Sequence, residues 1–384
     1  MAQHHFSVWW RKLYVLTMKE FLELFRDVIL IAFIIYAFTM DIYLAGSGVS
    51  LQLNQAPTIV LDNDHTAASR ELIHRFRRPY FRLDQEIASG REGMELLDNG
   101  KEMIALEIPP RFQEMLLNGE QATVQMQVDT TNTVLGLLAA SYGENIVGRF
   151  GLEYGLTRMG MTSDAMETAP NIVDAHRIWF NPNQQDAWFM AVTELLTIIS
   201  LFAILLPAAA MAREKEKGTV EQLLVSPLTP FQIMFPKVLS MTMVILAGTV
   251  ISLFGVLEWI FHVPIAGSLI LFFAVTTLYI FTSAGIGLYI ATIARNLAQV
   301  GMLTILVFAP MIFLSGAWTP PEAMPGWMRL LMGVSPLYYF TDACLGILLK
   351  GAGIAIIWDS IAGILVVGGA AFGLGMWRFR RQFD

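Results

Sequence analysis

Apolar residues gather along this chain in long, nearly unbroken runs, and the polar residues that separate them are bunched rather than interspersed. A helix that crosses a bilayer needs roughly 20 mostly apolar residues. Runs of that kind lie near Val28–Ala45, Ala187–Met211, Val238–Phe261, Ile265–Ile293, Ala298–Leu314 and Ile354–Trp377. The first has a long basic flank, and its apolar core exceeds the about 7–15 residues of a cleaved signal, so it reads as a retained anchor. The pattern predicts an α-helical polytopic membrane protein with six transmembrane helices.

Between the first and second runs, residues 46–186 follow a different rhythm. APTIVLDND and MIALEIPP read as strands that end in turn or helix-start residues, and ATVQMQVD reads as a further strand. ASRELIHRFRR, GREGMELLDN and PPRFQEMLLNG read as helices between them, and TNTVLGLLAASYGENIVGRFGLEYGL as a long helix leading back toward the membrane. Strands alternating with helices predict a small α/β layer domain inserted after the first span. Asp62 and Asp64 beside His65 resemble a metal set, but acids between a strand and a helix are more often caps. The run Arg75–Arg82 mixes bases with aromatics, suited either to an anionic lipid or partner or to a solvated face.

Composition places the chain in the same class. Of 384 residues 55% are hydrophobic and only 15% charged, against about 25% charged in soluble domains. The net charge of −7 matters less than where the bases sit. Arg11, Lys12, Lys19 and Arg26 precede the first run; Arg213, Lys215, Lys217 and Lys237 flank the break after the second. Arg295 lies in a later turn, and Arg378, Arg380 and Arg381 follow the last run. Bases favour the cytoplasmic side, so both termini are expected there and the inserted domain outside. Residues 1–27 place Trp9, Trp10, Leu13, Leu16 and Phe21 at helical spacing among bases. That suits a helix lying in the lipid interface; the plainer alternative is a cytoplasmic extension of the first span. A lone cysteine, Cys344, rules out a disulfide or a multi-thiolate metal site within one chain. No HExxH pair and no G-x-x-x-x-G-K-[ST] phosphate loop occurs. Nucleic acid is not an expected partner.

Charge inside the runs is costly and marks functional candidates. Glu194 is a pathway candidate, though it is also placed to reach the outer interface, and Glu258 is expected to reach the headgroups and His262. Asp41 and Asp342 are weaker candidates. In the outer segment 315–350, Pro320, Pro321, Pro325 and Pro336 forbid one continuous span. Trp318, Trp327, Tyr338 and Tyr339 suit an interfacial belt. A short re-entrant hairpin is expected there, with Pro320, Pro325, Pro336 and Tyr339 as outer-gate candidates; a plain interfacial loop is the alternative.

The segment 212–237 breaks two apolar runs with MAREKEKGTVEQLLVSPLTPFQ, which begins at Met211. Gly218 frees the backbone, and Thr219 then caps a helix Val220–Val225 with Gln222 as capping-box partner. Pro227 stops it; Thr229 caps a second short helix with Pro230 first and Gln232 as partner. Glu221 beside Leu223 and Leu224 makes an apolar knob with a charged edge, fit for another protein's groove or for the membrane surface.

The run R-E-x-E-x-G-T-x-E-x-L-L-x-x-P, carried by Arg213, Glu214, Glu216, Gly218, Thr219, Glu221, Leu223, Leu224 and Pro227, resembles the signature of type-2 ABC permeases. The resemblance extends to Lys19-Glu20, Arg26-Asp27, the six spans and SGAWTPPEAMPGWMRLLMGVSPLYYFTDA, and departs at Leu345 and Gly346, where many relatives have an arginine. It implies a bacterial inner-membrane exporter subunit that moves a hydrophobic or amphipathic, drug-like molecule. It also implies that these signature residues form a coupling helix against a separate ATPase subunit, which would engage ATP and Mg while this chain binds no cofactor and does no chemistry. A second permease copy or paralogue, and a periplasmic adaptor on the outer domain, are the further implied partners, besides membrane lipid. Two rivals stand beside this. An ion-coupled secondary transporter would carry inverted repeats with broken midplane helices, and a membrane-anchored sensor would need a cytoplasmic signalling module; neither feature is found in the sequence.

Overall fold

The computed structural model describes residues 2–48, 53–158, 179–218 and 229–381. In chain order the elements are α1 (Ala2–Arg26), α2 (Val28–Gly48), β1 (Ala56–Asp62), α3 (Ala67–Arg75), β2 (Phe81–Glu86), α4 (Gly90–Asp98), β3 (Ile104–Ile108) and α5 (Phe112–Asn118). Next come β4 (Gln125–Val128), α6 (Thr133–Arg158), α7 (Asp186–Glu216), α8 (Pro230–Ile251), α9 (Leu269–Ile293) and α10 (Leu297–Phe313). The last three are α11 (Gly326–Met332), α12 (Pro336–Lys350) and α13 (Ile354–Arg381). Two compact units emerge, Met1–Val49 with Ile178–Asp384, and Ser50–Arg177.

In the helical unit, α7 is buried on nearly every side, from Ala191 to Glu214, as expected of a helix apolar all round. Its neighbour α9 gains close contact through small residues. A Cβ on Gly285 would lie 2.1 Å from Phe372 Cα, and one on Gly375 2.3 Å from the Gly285 carbonyl. On another side, a Cβ on Gly287 would lie 2.2 Å from the Ile204 carbonyl. Here α9 therefore meets both α13 and α7 backbone to backbone, the approach that small residues permit between membrane helices. Single π turns interrupt α2 at Ala37–Asp41 and α13 at Ile364–Gly368, and another, Ser252–Glu258, extends α8. Those in α2 and α8 are tied together, since the buried Ser252 hydroxyl donates to the Phe38 carbonyl.

Among the described residues, five helices are long and apolar enough to cross a membrane, and up to six if α11 and α12, bent by 79°, make one span. The chain is thus a helical polytopic membrane protein. The run expected as the fifth span, α10, has 17 residues, at the short end of the range of about 17–25. Pro325 precedes α11 and Pro336 opens α12, so the missing proline donors fall where a helix has none to lose. Two boundaries differ from the sequence reading. The third run ends at Glu258 rather than Phe261, and the fourth begins at Leu269 behind its cap Ser268.

In the second unit the sheet order is β2-β1-β3-β4, with β1 parallel to both neighbours and β4 antiparallel to β3. Successive residues of β1 face opposite ways. Val60 joins Leu72, Phe76, Phe81, Leu106 and Phe112 in one core, while Ile59 and Leu61 join Ile87 and Ala105 in the other. Burial on both faces explains the unbroken apolar run TIVL. The strand β2 has no counterpart in the sequence reading: FRLD alternates over only four residues before the polar Gln85 and Glu86, and only Phe81 of the six is buried.

Candidate functional site

Four consecutive charged residues, Arg213 to Glu216, end α7. Helical residues are about 100° apart, so four in a row point all round the axis. Because α7 is surrounded, each direction meets a different element. Arg213 donates to Asp27 Oδ2 at 2.6 Å, and Asp27 Oδ1 at the same time caps α2 by accepting from Leu30 N at 3.1 Å. Glu214 Oε1 accepts from Lys237 of α8 at 2.6 Å and from Lys19 of α1 at 3.0 Å. Lys215 turns to the C-terminal carbonyls of α9, reaching Ala291 O at 2.5 Å and Ala294 O at 3.5 Å. Glu216 accepts from Leu297 N, the first residue of α10, at 2.9 Å. Cations at helix C-termini and anions at N-termini are the favourable pairings with the helix dipole.

The centre of this arrangement is Lys237. Its side chain is 1% exposed and lies between two carboxylates, Glu20 at 2.5 Å and Glu214 at 2.6 Å, each 5% exposed. Lys19, 40% exposed, lies 3.0 Å from Glu214 and 3.6 Å from Glu20. Partial burial would lower the Lys19 pKa, but Glu214 and then Glu20 outweigh it and hold the ammonium charged well above its usual range. Glu20, Glu214 and Lys237 thus form a buried cluster joining α1, α7 and α8, and the half-exposed Lys19 links it to Glu23 at 3.4 Å on the surface.

Sequence reading treated Lys237 as one of the bases flanking a membrane run; the structure corrects this, since it is buried. A signal was available. Glu20 shares its helix face with the buried Leu13 and Leu24, and Lys237 shares one with Met234 and Met241. A charge on a packing face demands an opposite charge beside it.

Gly218 follows the end of α7 with φ of +66°. Its N–H donates to Lys215 O at 3.1 Å, a left-handed termination that suits glycine. Thr219, Glu221, Leu223, Leu224 and Pro227, with the expected helix Val220–Val225, lie outside the described residues. The capping box at Thr229 is present, with Thr229 N to Gln232 Oε1 at 3.0 Å and Gln232 N to Thr229 Oγ1 at 3.3 Å. However, it opens the long helix α8 rather than a second short helix. Pro236 does not end it, and the helix runs on through Ile251.

The other sequence candidates are dispersed. Glu194 is half-buried on α7, close enough to Asp41 in the π turn of α2 to feel its charge. Glu258 is exposed; the His262 ring nitrogen lies 3.1 Å from Ile260 O, and no ion pair joins the two among the described residues. Asp342 accepts from Ser360 at 2.6 Å, linking α12 to α13. Tyr339 donates to Gly333 O at 3.1 Å, across the break between α11 and α12. Pro320 and Pro325 are exposed and Pro336 buried.

In the sheet unit, Asp62, His65 and Glu86 bring one ligand atom each within 4.8 Å of one another. Asp62 is already committed. Its Oδ1 accepts from the N–H groups of Asp64 and His65, each at 3.0 Å, and its Oδ2 from Ser69 at 2.7 Å. Burial would raise its pKa, but these donors outweigh it and hold the carboxyl below its usual range. The cap of α3 is Thr66, so Asp62 shapes the turn that precedes the cap.

The comparison with known proteins places this helical membrane chain in a transporter family. The family model for ABC-2 family transporter proteins matches residues 27–378. The chain belongs to that family. It is 35% identical over 371 residues to the inner membrane transport permease YhhJ of Escherichia coli, covering 97% of each chain. It is 29% identical over 380 residues to the probable multidrug ABC transporter permease YbhR of the same organism, covering 97% of this chain and 99% of that one. YbhS, also named a probable multidrug ABC transporter permease there, is 26% identical over 351 residues, 89% of each. ABC-2 membership implies an ABC ATPase partner, and the charged end of α7 lies directly before the strip that carries the rest of the permease signature.

Proposed function

We propose that this ABC-2 protein is the permease subunit of an ATP-driven exporter, moving a hydrophobic or amphipathic drug-like molecule out of the cytoplasm or inner membrane. Two such subunits, identical or paralogous, would work with a separate ATPase that supplies ATP and Mg; the chain itself carries no phosphate loop. Six crossings, both termini cytoplasmic, follow from the bases beside the apolar runs. The unit at 50–177 would then face the periplasm and dock an adaptor. The bent pair α11–α12, with Pro320, Pro325, Pro336 and Tyr339, would form the outer gate.

The observation that carries this reading is the end of α7. Arg213, Glu214, Lys215 and Glu216 are each tied to a different helix, immediately before the strip expected to meet the ATPase. A push on that strip would move α7 and, through charge pairs rather than loose chain, α1, α8, α9 and the start of α10 together. The experiment is to reconstitute the chain with its ATPase and compare Gly218→Pro and Glu221→Lys with wild type. Gly218→Pro requires a negative φ where the chain has +66°, and Glu221→Lys reverses a contact charge. Both should insert normally yet uncouple hydrolysis from export. Wild-type coupling in both would remove the strip from the mechanism.

A further inference from the structure

A cleft runs between the first two helices and α8. Its outer part, about 340 Å³, lies between α1 and α8, with Trp10, Tyr14 and Phe235 in its wall. Its inner part, about 240 Å³, lies between α2 and α8 and ends near Thr39 and Ile251. Phe21 and Met243 belong to both walls, so the two parts adjoin at these side chains. Gly248 makes room for the innermost wall, because Phe38 sits where its Cβ would be, 2.6 Å away.

We propose that this cleft holds one acyl chain of a bilayer phospholipid, drawn from the leaflet in which α1 lies. The wall chemistry selects hydrocarbon. Its two threonine hydroxyls are spent within their own helices, Thr17 on Leu13 O at 2.8 Å and Thr39 on Ile35 O at 2.5 Å. A charged or strongly polar ligand would lose its hydration there without replacement. The polar rings, Trp10 and Tyr14, are at one end only, the position such side chains take at headgroup level. Depth selects a single leaflet. From Asp27, where α2 starts, to Thr39 is about 18 Å of helix at 1.5 Å per residue, close to half of the roughly 30 Å hydrocarbon core. Exposed rim residues, among them Ile35, Met243 and Ile251, leave the cleft open sideways to lipid.

The position gives the chain a consequence. A seated acyl chain lies between α1 and α8, the two helices that the Glu20–Lys237 pair joins. It also sets the spacing of α1 from α8, across which the Glu20–Lys237 pair acts.

The test uses the full chain in nanodiscs containing a phospholipid with a photoreactive diazirine at the end of one acyl chain. After irradiation, adducts should concentrate in the peptides bearing Ile34–Thr39 and Met243–Ile251. Ala247→Trp, which fills the cleft, should reduce them about fivefold, a difference near 1 kcal/mol. Ile35→Trp at the rim gives the same reading should the first variant fold poorly. Adducts on the exposed Met302 and Ile305 of α10 should not change. Equal labelling of α10 and the cleft, or no reduction in a folded cleft-filling variant, would overturn the proposal. So would displacement of the label by a transported amphiphile, which would make the cleft a substrate site.

Discussion

Replacing Lys237 by methionine keeps the volume and apolar stem of the side chain but leaves Glu20 and Glu214, each 5% exposed, to face each other without the cation between them. Removing one partner of a buried ion pair costs about 3–5 kcal/mol. Lys19 remains 3.0 Å from Glu214 and offsets part of the loss, but it is 40% exposed, so solvent weakens its help. The expected cost is therefore about 3 kcal/mol, at the lower end of that range. Adding Glu20→Gln removes the repulsion between the two carboxylates, leaving Glu214 with Lys19, and should bring the cost back to about 1 kcal/mol, a rescue of about 2 kcal/mol relative to Lys237→Met. The assay is equilibrium unfolding in mixed micelles of wild type, both single variants and the double. Coupled ATP hydrolysis would be measured on the same proteins with the ATPase subunit present, and should fall most in Lys237→Met. A single variant within about 0.5 kcal/mol of wild type would mean the cluster is solvated rather than buried. A double variant no better than Lys237→Met would mean that the two carboxylates do not repel, and either result would refute the reasoning.

Other outcomes follow from other parts of the chain. Lys215→Gln removes the cation from the C-terminus of α9; it should cost about 0.3–1 kcal/mol in the same unfolding assay and loosen coupling more than stability. Gly285→Ala places a Cβ 2.1 Å from Phe372 Cα; it should destabilise the helical unit by about 1–3 kcal/mol through overpacking, read as a lower melting temperature in detergent. Glu194→Gln should alter export or substrate preference while assembly stays intact; unchanged export across several substrates would remove it from the pathway. Ser69→Ala takes one donor from Asp62 and should cost the sheet unit about 1.5–3 kcal/mol at neutral pH. Since the Asp62 pKa is depressed, that contribution is fully present above the unfolded carboxyl value of about 4 and is lost as pH falls from there through the lower folded value. Hydrogen exchange of the full chain should therefore show a difference at pH 7 that narrows toward pH 3.

The sequence by itself determined what one-dimensional chemistry can determine. Long apolar runs have no stable place but a bilayer, so the membrane class and most of the long helices were legible from Val28 onward, and the Thr229–Gln232 capping box from local backbone demands alone. The permease family was readable from the resemblance of the run between Arg213 and Pro227 to the permease signature. Strand β2 was not legible, because this edge strand alternates over only four residues and then runs into the polar Gln85 and Glu86. Only tertiary structure decided the partners of the charges. Glu20 and Lys237 are 217 positions apart and Asp27 and Arg213 are 186, and a charge near an apolar run reads the same whether headgroups or an opposite charge neutralise it. What turned Lys237 from a flanking base into the centre of a buried cluster was the packing of α1 against α8. That contact excludes water, and without water each charge must be answered by another.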